Sequence, residues 1–203
     1  MVNKNRVSIS NGNTKMGPIS SVSLPAGVTC NPKAPCFRDC YAHRMETFRS
    51  VVHDAYTRNY SIYQHHPRIF WFEVEDAVSK SKWFRFHVSG DIPDADYFKH
   101  VVKIAERHPG CQILMFTKQY DFVNRYLKKH EIPENLHVLF SGWKGFKPDN
   151  PYNLPEAHVR FRDGTCEAGE NAKECNGNCT NCANTGSGCW TLKRGEQLIL
   201  NQH

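Results

Sequence analysis

Apolar and polar positions alternate along this chain in two rhythms. Across residues 39–65 the apolar and aromatic side chains fall three or four apart, at Met45, Phe48, Val52, Tyr56, Tyr60 and Tyr63. That spacing, with few breakers, predicts one long helix. Pro67 stops it, since proline has no amide to donate and clashes with the preceding turn, and a second helix is expected over residues 69–79. From residue 83 the rhythm shortens. Residues 83–89 (WFRFHVS) read as a strand ending in Gly90-Asp91, and Asp94 is placed to cap a helix reaching about Arg107. Strands are expected over residues 111–116, 136–140 and 159–161, with a helix over 122–129. Residues 21–24 and 196–200 read as short first and closing strands. Strands alternating with helices imply βαβ units joined by right-handed crossovers. The expected fold is therefore α/β, either a partial (β/α) barrel or an open, mainly parallel sheet of about four to six strands. Ligands of such sheets bind at the C-terminal strand ends. The loops after Ser89, Phe116 and Phe140 should share that functional face.

The pattern fails after residue 162. Residues 165–190 (TCEAGENAKECNGNCTNCANTGSGCW) are rich in glycine, asparagine and cysteine and poor in aliphatics. Such a segment buries too little apolar surface to offset its ordering entropy, and bound metal would supply the missing stability. Two units are expected: an α/β domain over residues 1–162 carrying an N-terminal cysteine loop, and a cysteine-rich, metal-bound tail over 163–203 packed on it.

Composition narrows the classes. The 203 residues are 39% hydrophobic and 23% charged, which excludes a disordered chain. The net charge of +6 favours an anionic partner, nucleic acid among the candidates. The first residues, MVNKNRVSISNGNTK, hold no apolar signal core, and no apolar run is long enough to span a bilayer. A cytoplasmic location without membrane association is expected. Nine cysteines in a reducing compartment point to metal or redox chemistry rather than disulfides.

Eight of the nine fall in two groups. Cys30, Cys36 and Cys40 are spaced C-x5-C-x3-C between a predicted strand and the long helix, with Pro32 and Pro35 stiffening the loop. Three thiols within eleven residues are poorly explained as small buried hydrophobes. Three thiolates can hold a four-iron cluster with one iron left open, or furnish three ligands to zinc, with His43 nearby. The second group is Cys166, Cys175, Cys179, Cys182 and Cys189. There Cys166, Cys179, Cys182 and Cys189 are expected to hold a second metal, with Cys175 as spare or substitute. Structural zinc sites usually present two C-x2-C pairs, whereas this chain has one, Cys179 with Cys182, so iron–sulfur is preferred over zinc. Cys111 opens a strand and reads as a core residue.

Other candidates cluster at the strand ends. Gly90 permits close backbone approach, and Asp91 is placed to bind an amine or hydroxyl. Lys118 and Trp143 close the next two strands and should line the same pocket, with Asp91 and Lys118 as the polar groups near an open iron. His87 reads as a core histidine, and His65-His66 as a solvated helix end. There is no Walker loop, no dinucleotide glycine motif and no serine-nucleophile elbow.

The segments GNTKMG (12–17), SLPAGVTCNP (23–32), CFRDCYA (36–42), FRFHVSGD (84–91), CTNC (179–182) and GCW (188–190) together resemble the phage gene-product-88 family. The resemblance implies a phage or mobile-element context, hence host cytoplasm, more than a particular reaction. The layout also resembles a shortened radical-SAM barrel. On that likeness the N-terminal trio matches the cluster loop, Ser89, Gly90 and Asp91 match the motif that contacts the amino group of S-adenosylmethionine, and the late cysteines match an auxiliary-cluster tail. C-x5-C-x3-C departs from the C-x3-C-x2-C of that class. Cys175-x3-Cys179-x2-Cys182 does have that spacing, but it lies in the tail rather than between a first strand and helix.

The leading expectation is thus an iron–sulfur protein, with one or two 4Fe-4S clusters, S-adenosylmethionine as a candidate cofactor and an unidentified small or macromolecular substrate. The alternative is a non-enzymatic zinc protein that binds nucleic acid, with Tyr56, Tyr60 and Tyr63 as stacking candidates. A third reading is a phage structural protein whose metals only hold the fold.

Overall fold

The computed structural model describes residues 6–202, so the terminal His203, to which the sequence assigns no role, lies outside them. Strands β1 (Ile9–Ser10) and β2 (Ser20–Val22) precede three helices, α1 (Tyr41–Phe48), α2 (Ser50–His65) and α3 (Pro67–Ser79). The alternation then runs β3 (Trp83–Phe86), α4 (Ala95–Arg107), β4 (Gln112–Thr117), α5 (Tyr120–Leu127), β5 (Leu136–Ser141) and β6 (Glu156–Arg160). The tail adds β7 (Lys173–Glu174), α6 (Cys179–Thr185) and β8 (Gln197–Asn201). All eight strands form one open sheet in the order β1-β2-β3-β4-β5-β6-β8-β7. Only β1 runs antiparallel to its neighbour.

The expected α/β class and parallel sheet are therefore present, with more strands than expected. The two extra strands, β1 and β7, lie at the sheet edges and are two residues long. Two residues cannot show a period-two pattern. The predicted long helix is divided. A 3-10 helix (Pro35–Asp39) comes first, and extended backbone at Arg49 (φ −129°, ψ 92°) separates α1 from α2. Pro67 does not merely stop α2; it opens α3 at the first helical position, where its missing amide costs nothing. Asp94 caps α4 as expected, its Oδ1 accepting the Tyr97 amide at 2.8 Å.

Period-two alternation sends each strand's side chains to two different covers. Phe84 and Phe86 of β3, with Ile113 and Met115 of β4, pack under the helices against Val74, Val101, Val102 and Val123. Tyr60 and Tyr63 of α2 pack on that same core, and the Tyr63 hydroxyl donates to Asp94 at 2.7 Å. These two tyrosines are thus partly buried against the core. On the opposite face Leu114, Leu139, Ala157 and Leu198 are covered by Met16, Ile19 and three tail residues, Ala183, Trp190 and Leu192. The Trp190 ring lies 4.8 Å from that of Trp83. The tail is thus poor in aliphatics but lays its few apolar side chains on the sheet, each fully buried one contributing about 1.5–3 kcal/mol. Cys111 is buried in the helix-side core, as expected. Among the described residues no helix is long and apolar enough to cross a membrane.

Candidate metal centre

The chain leaving β2 forms the N-terminal cysteine loop, and the ends of β3 and β4 hold it in place. The Leu24 amide donates to the Ser89 carbonyl at 3.1 Å, and the Asp91 amide donates to Thr29 Oγ1 at 3.0 Å. Asn31 Nδ2 donates to the Lys118 carbonyl at 2.8 Å, and Gln119 Nε2 to the Thr29 carbonyl at 3.1 Å. This framework delivers Cys30 from the loop, Cys36 from the 3-10 helix and Cys40 as the residue capping α1. All three thiols line one cavity of about 280 Å³ at the C-terminal edge of the sheet, together with Asp91, Lys118 and Trp143. The loops after Ser89, Phe116 and Phe140 do converge on that edge.

Burial governs the protonation of two of the three thiols. Burial pushes the Cys30 thiol up to about 12, with Asp91 and the other two thiols adding to the effect, while the Gly27 amide donates to its sulfur at 3.4 Å and opposes it. Burial also raises Cys36, against the pull of the Lys118 ammonium. Such thiols stay protonated near neutrality unless a bound cation displaces the proton.

The glycine-centred turn also supports the cysteine loop. Gly90 has φ +76°, and a Cβ there would stand 2.6 Å from the Leu24 carbonyl oxygen. The close approach it permits is to the cysteine loop. The Ser89 hydroxyl donates to Glu46 Oε1. Asp91 accepts three hydrogen bonds, from Thr117 Oγ1 (2.6 Å), the Lys118 amide (2.7 Å) and the Ile92 amide (2.8 Å). Burial pushes its carboxyl up to about 6, against the pull of these donors. Asp91 therefore splices β3 to β4 beneath the loop, and its oxygens are already engaged. Lys118 faces the cavity, with Nζ donating to Ser141 Oγ at 2.8 Å and lying 5.8 Å from the Trp143 ring centre.

Two residues gain importance from the structure. Glu46 is buried on α1, accepts the Ala26 amide at 3.0 Å as well as Ser89, and has His53 Nδ1 at 3.9 Å. It fastens the helix to both the loop and the turn, and nothing in its polar surroundings in the sequence marks it. His87 is buried as expected, but it sits in left-handed backbone (φ 63°) and lines the trio's cavity. Its Nε2 meets the Tyr97 hydroxyl at 3.0 Å and its Nδ1 has no partner. Burial and the nearby Arg85 hold its pKa down to about 3. His65 and His66 are exposed at the junction of α2 and α3.

In the second thiol set Cys175, read as spare or substitute, lines a cavity with three of the others. Cys175, Cys179, Cys182 and Cys189 line a cavity of about 420 Å³ between the tail and the second face of the sheet. Cys166 is not among them; it lies near Arg160 instead. β7 pairs with β8 at the sheet edge and holds Cys175, the residue after it, beside Ile199, whose carbonyl accepts the Cys175 amide at 2.9 Å. Cys179 and Cys182 come from the first turn of α6, and Gly188 leaves room for the Cys182 sulfur, which a Cβ there would meet at 2.9 Å. The Gly177 amide donates to Cys175 Sγ at 3.4 Å, and burial pushes Cys189 up to about 12. Among the described residues no group of three or more His, Cys, Asp or Glu side chains is arranged to hold a metal ion.

Arg85 tests whether an anionic metal site fits here. Arg85 is half-buried between β3 and the tail, its Nε shielded from solvent, with Nη1 3.8 Å from Met16 Sδ and its guanidinium centre 4.9 Å from the Phe116 ring. Its Nε has no hydrogen-bond partner, and no carboxylate pairs with it among the described residues. The ionisable groups that act on it are Cys179, Cys189 and Cys175. A largely desolvated cation without a counterion is costly, and thiolates on a metal would supply the missing negative charge. Arg85, Val88, Phe116, Leu200 and Tyr41 line both cavities, so the two thiol sets share one side of the sheet.

Residues 2–161 match the family model described as Gene product 88. The match ends before the tail, so CTNC and GCW fall outside it, although the sequence resemblance includes them. No curated protein and no solved structure matches the chain. On the extent of the family match, which takes in the whole N-terminal cysteine loop and the sheet through β6, the chain belongs to the gene product 88 family.

Proposed function

We propose that this chain is an iron–sulfur protein whose N-terminal trio, Cys30, Cys36 and Cys40, holds a 4Fe-4S cluster with one iron open to the cavity at the sheet edge. The observation that carries this reading is the convergence of exactly these three thiols, with Lys118, on the C-terminal edge of a parallel sheet, where α/β proteins bind their ligands. When bound, such a cluster would supply an electron source and an open coordination position for a ligand. The chain's own residues do the rest. Asp91, Gly90 and Glu46 hold the loop in place, Lys118 and Trp143 face the ligand, and the tail screens the adjoining face from water. A radical-SAM-like or other redox enzyme in a reducing compartment is the activity this supports, with S-adenosylmethionine as the cofactor to try first.

Cys175, Cys179, Cys182 and Cys189 form a second metal site under this proposal. Four thiols are also a complete ligand set for structural zinc, so zinc in the tail is the second reading there. Anaerobic purification followed by iron, sulfide and zinc analysis separates the cases. Loss of about one cluster's worth of iron and sulfide in Cys30→Ala, Cys36→Ala and Cys40→Ala supports the trio as the cluster site. Full iron retention in all three variants rejects it. A change in the electron paramagnetic resonance signal of the reduced protein on adding S-adenosylmethionine would identify the open iron's ligand, and an unchanged signal would remove that cofactor.

A further inference from the structure

The helix that follows the trio carries an unusual exposed face. Tyr41, Arg44 and Phe48 are spaced i, i+3 and i+7, and so share one side of α1. All three are exposed, Phe48 at 81% and Tyr41 at 50%. Phe37, on the preceding 3-10 helix, is 45% exposed, and Val51, just past the break at Arg49, is 80% exposed. Four cations, Lys33, Arg38, Arg44 and Arg49, are exposed among these aromatics. Lys33, Arg38 and Arg49 stand in no ion pair among the described residues. Of the two acids in the same stretch, Glu46 is turned inward to Ala26 and Ser89, which leaves only Asp39 exposed. Tyr41 also lines the cavities beside both thiol sets. The face therefore runs from solvent to the mouth where Lys118 and Trp143 stand.

From this face we infer that the chain binds a single-stranded polynucleotide along α1. Along the sequence, exposed aromatic side chains alternate with arginines (Phe37, Arg38, Tyr41, Arg44, Phe48, Arg49), a pattern that matches a strand whose bases are unstacked and whose phosphates repeat at short intervals. A duplex offers the phosphates but not the base faces. An acidic protein or an anionic bilayer offers charge without a reason for aromatic rings to be interleaved with arginines. The contacts are to base faces and phosphates, so DNA and RNA strands bind alike. The inference rests on the cluster reading only for what lies at the end of the path, where it makes the polynucleotide the macromolecular substrate.

The test is fluorescence anisotropy of the full, metal-loaded chain with a labelled twenty-nucleotide poly-dT strand, its poly-U counterpart and a duplex of the same length. Both single strands should bind, and the duplex more weakly. Phe48→Ala should weaken binding between about fivefold and a hundredfold, the range of a lost base–aromatic stack. Tyr41→Ala should do the same, and Tyr41→Phe should restore binding. Arg49→Gln and Arg38→Gln should each reduce the slope of log affinity against log salt by about 0.7. Phe48 and Arg49 lie outside the thiol sets, so their variants should keep wild-type iron. The inference is overturned if Phe48→Ala and Tyr41→Ala bind like wild type, or if the duplex binds as tightly as the single strands. It also fails if phosphatidylserine vesicles, and not the strands, show the same dependence on Phe48 and Arg49. Absence of strand binding by the iron-loaded wild-type chain rejects this inference alone, and strand binding by a wild-type chain that holds no iron rejects the cluster alone.

Discussion

Replacing Gly90 with alanine should remove the N-terminal site without touching a thiol. The new Cβ would stand 2.6 Å from the Leu24 carbonyl oxygen, 2.7 Å from Thr29 Oγ1 and 2.8 Å from the Leu24 carbonyl carbon. Two of those three atoms are backbone, which cannot swing aside as a flexible side chain would. Left-handed backbone at φ +76° adds about 1–2 kcal/mol for an L-residue, and overpacking a filled space costs about 1–3 kcal/mol. A loss of about 2–5 kcal/mol is expected, a large share of the roughly 5–15 kcal/mol typical of a domain. The easiest relief is to move the Leu24 and Thr29 backbone off the end of β3. That breaks the Leu24 amide bond to Ser89 and the Asp91 amide bond to Thr29, and Cys30 is the next residue. Urea unfolding of the metal-free protein reads the stability, and iron per chain after anaerobic reconstitution reads the site. A variant within about 0.5 kcal/mol of wild type, with full iron, would show that the turn does not support the loop.

Three further outcomes follow from the same contacts. Cys175→Ala should lower the tail's metal content while Cys166→Ala leaves it unchanged, as read by metal analysis on a trio-free background; the reverse would restore the membership read from the sequence. Arg85→Met should act with opposite signs in the two metal states, stabilising the metal-free protein because a largely desolvated, unpaired cation is gone, and weakening tail metal binding in a chelator titration. Destabilisation of both states would mean that the guanidinium has a counterion other than the thiolates. His87 is neutral when folded, with its pKa held near 3 against 6.5 when exposed. The unfolded chain therefore takes up the extra proton as pH falls, so stability is present above about pH 6.5 and is lost between there and pH 3. His87→Asn, which tolerates the left-handed backbone, should flatten that part of a stability–pH profile; an unchanged slope would assign the acid sensitivity elsewhere.

Local pattern was enough for the parts of the fold that local pattern determines. The alternation in β3 and β4, the cap at Asp94 and the convergence of strand-end loops all follow from period, proline and capping chemistry within short windows. What the sequence did not disclose depends on partners distant along the chain. β7 exists because β8 pairs with it, and that pairing holds Cys175 beside Ile199. Gly90 was legible as a position of close approach, but what approaches is Leu24, sixty-six residues earlier. Glu46 sits among polar neighbours on an exposed-looking helix, and only tertiary packing turns it inward. The break at Arg49 has no proline or glycine to announce it.

The two thiol sets are built differently, and the difference bears on what each metal would do. Hydrogen bonds donated by Leu24 and Asn31, and accepted by Thr29 and Glu46, hold the loop of the trio, so the protein itself sets much of that geometry. The trio lacks a fourth thiol and opens onto a cavity with Lys118. An incomplete ligand set on a preorganised loop is the arrangement of a site that exchanges ligands. The tail set has four thiols, and its segment is fastened by the Cys175 amide on Ile199, the Cys179 amide on Lys15 and the Thr180 hydroxyl on Met16, besides the pairing of β7 with β8. Four thiols are a complete ligand set, the arrangement of a site whose metal holds the chain together. β3 serves both, since Arg85 faces the tail thiols while the residues just beyond it, Ser89 to Asp91, carry the loop of the trio. Under the proposed function, reactivity therefore belongs to the trio, and the tail metal's part is to close the second face of the sheet beside it.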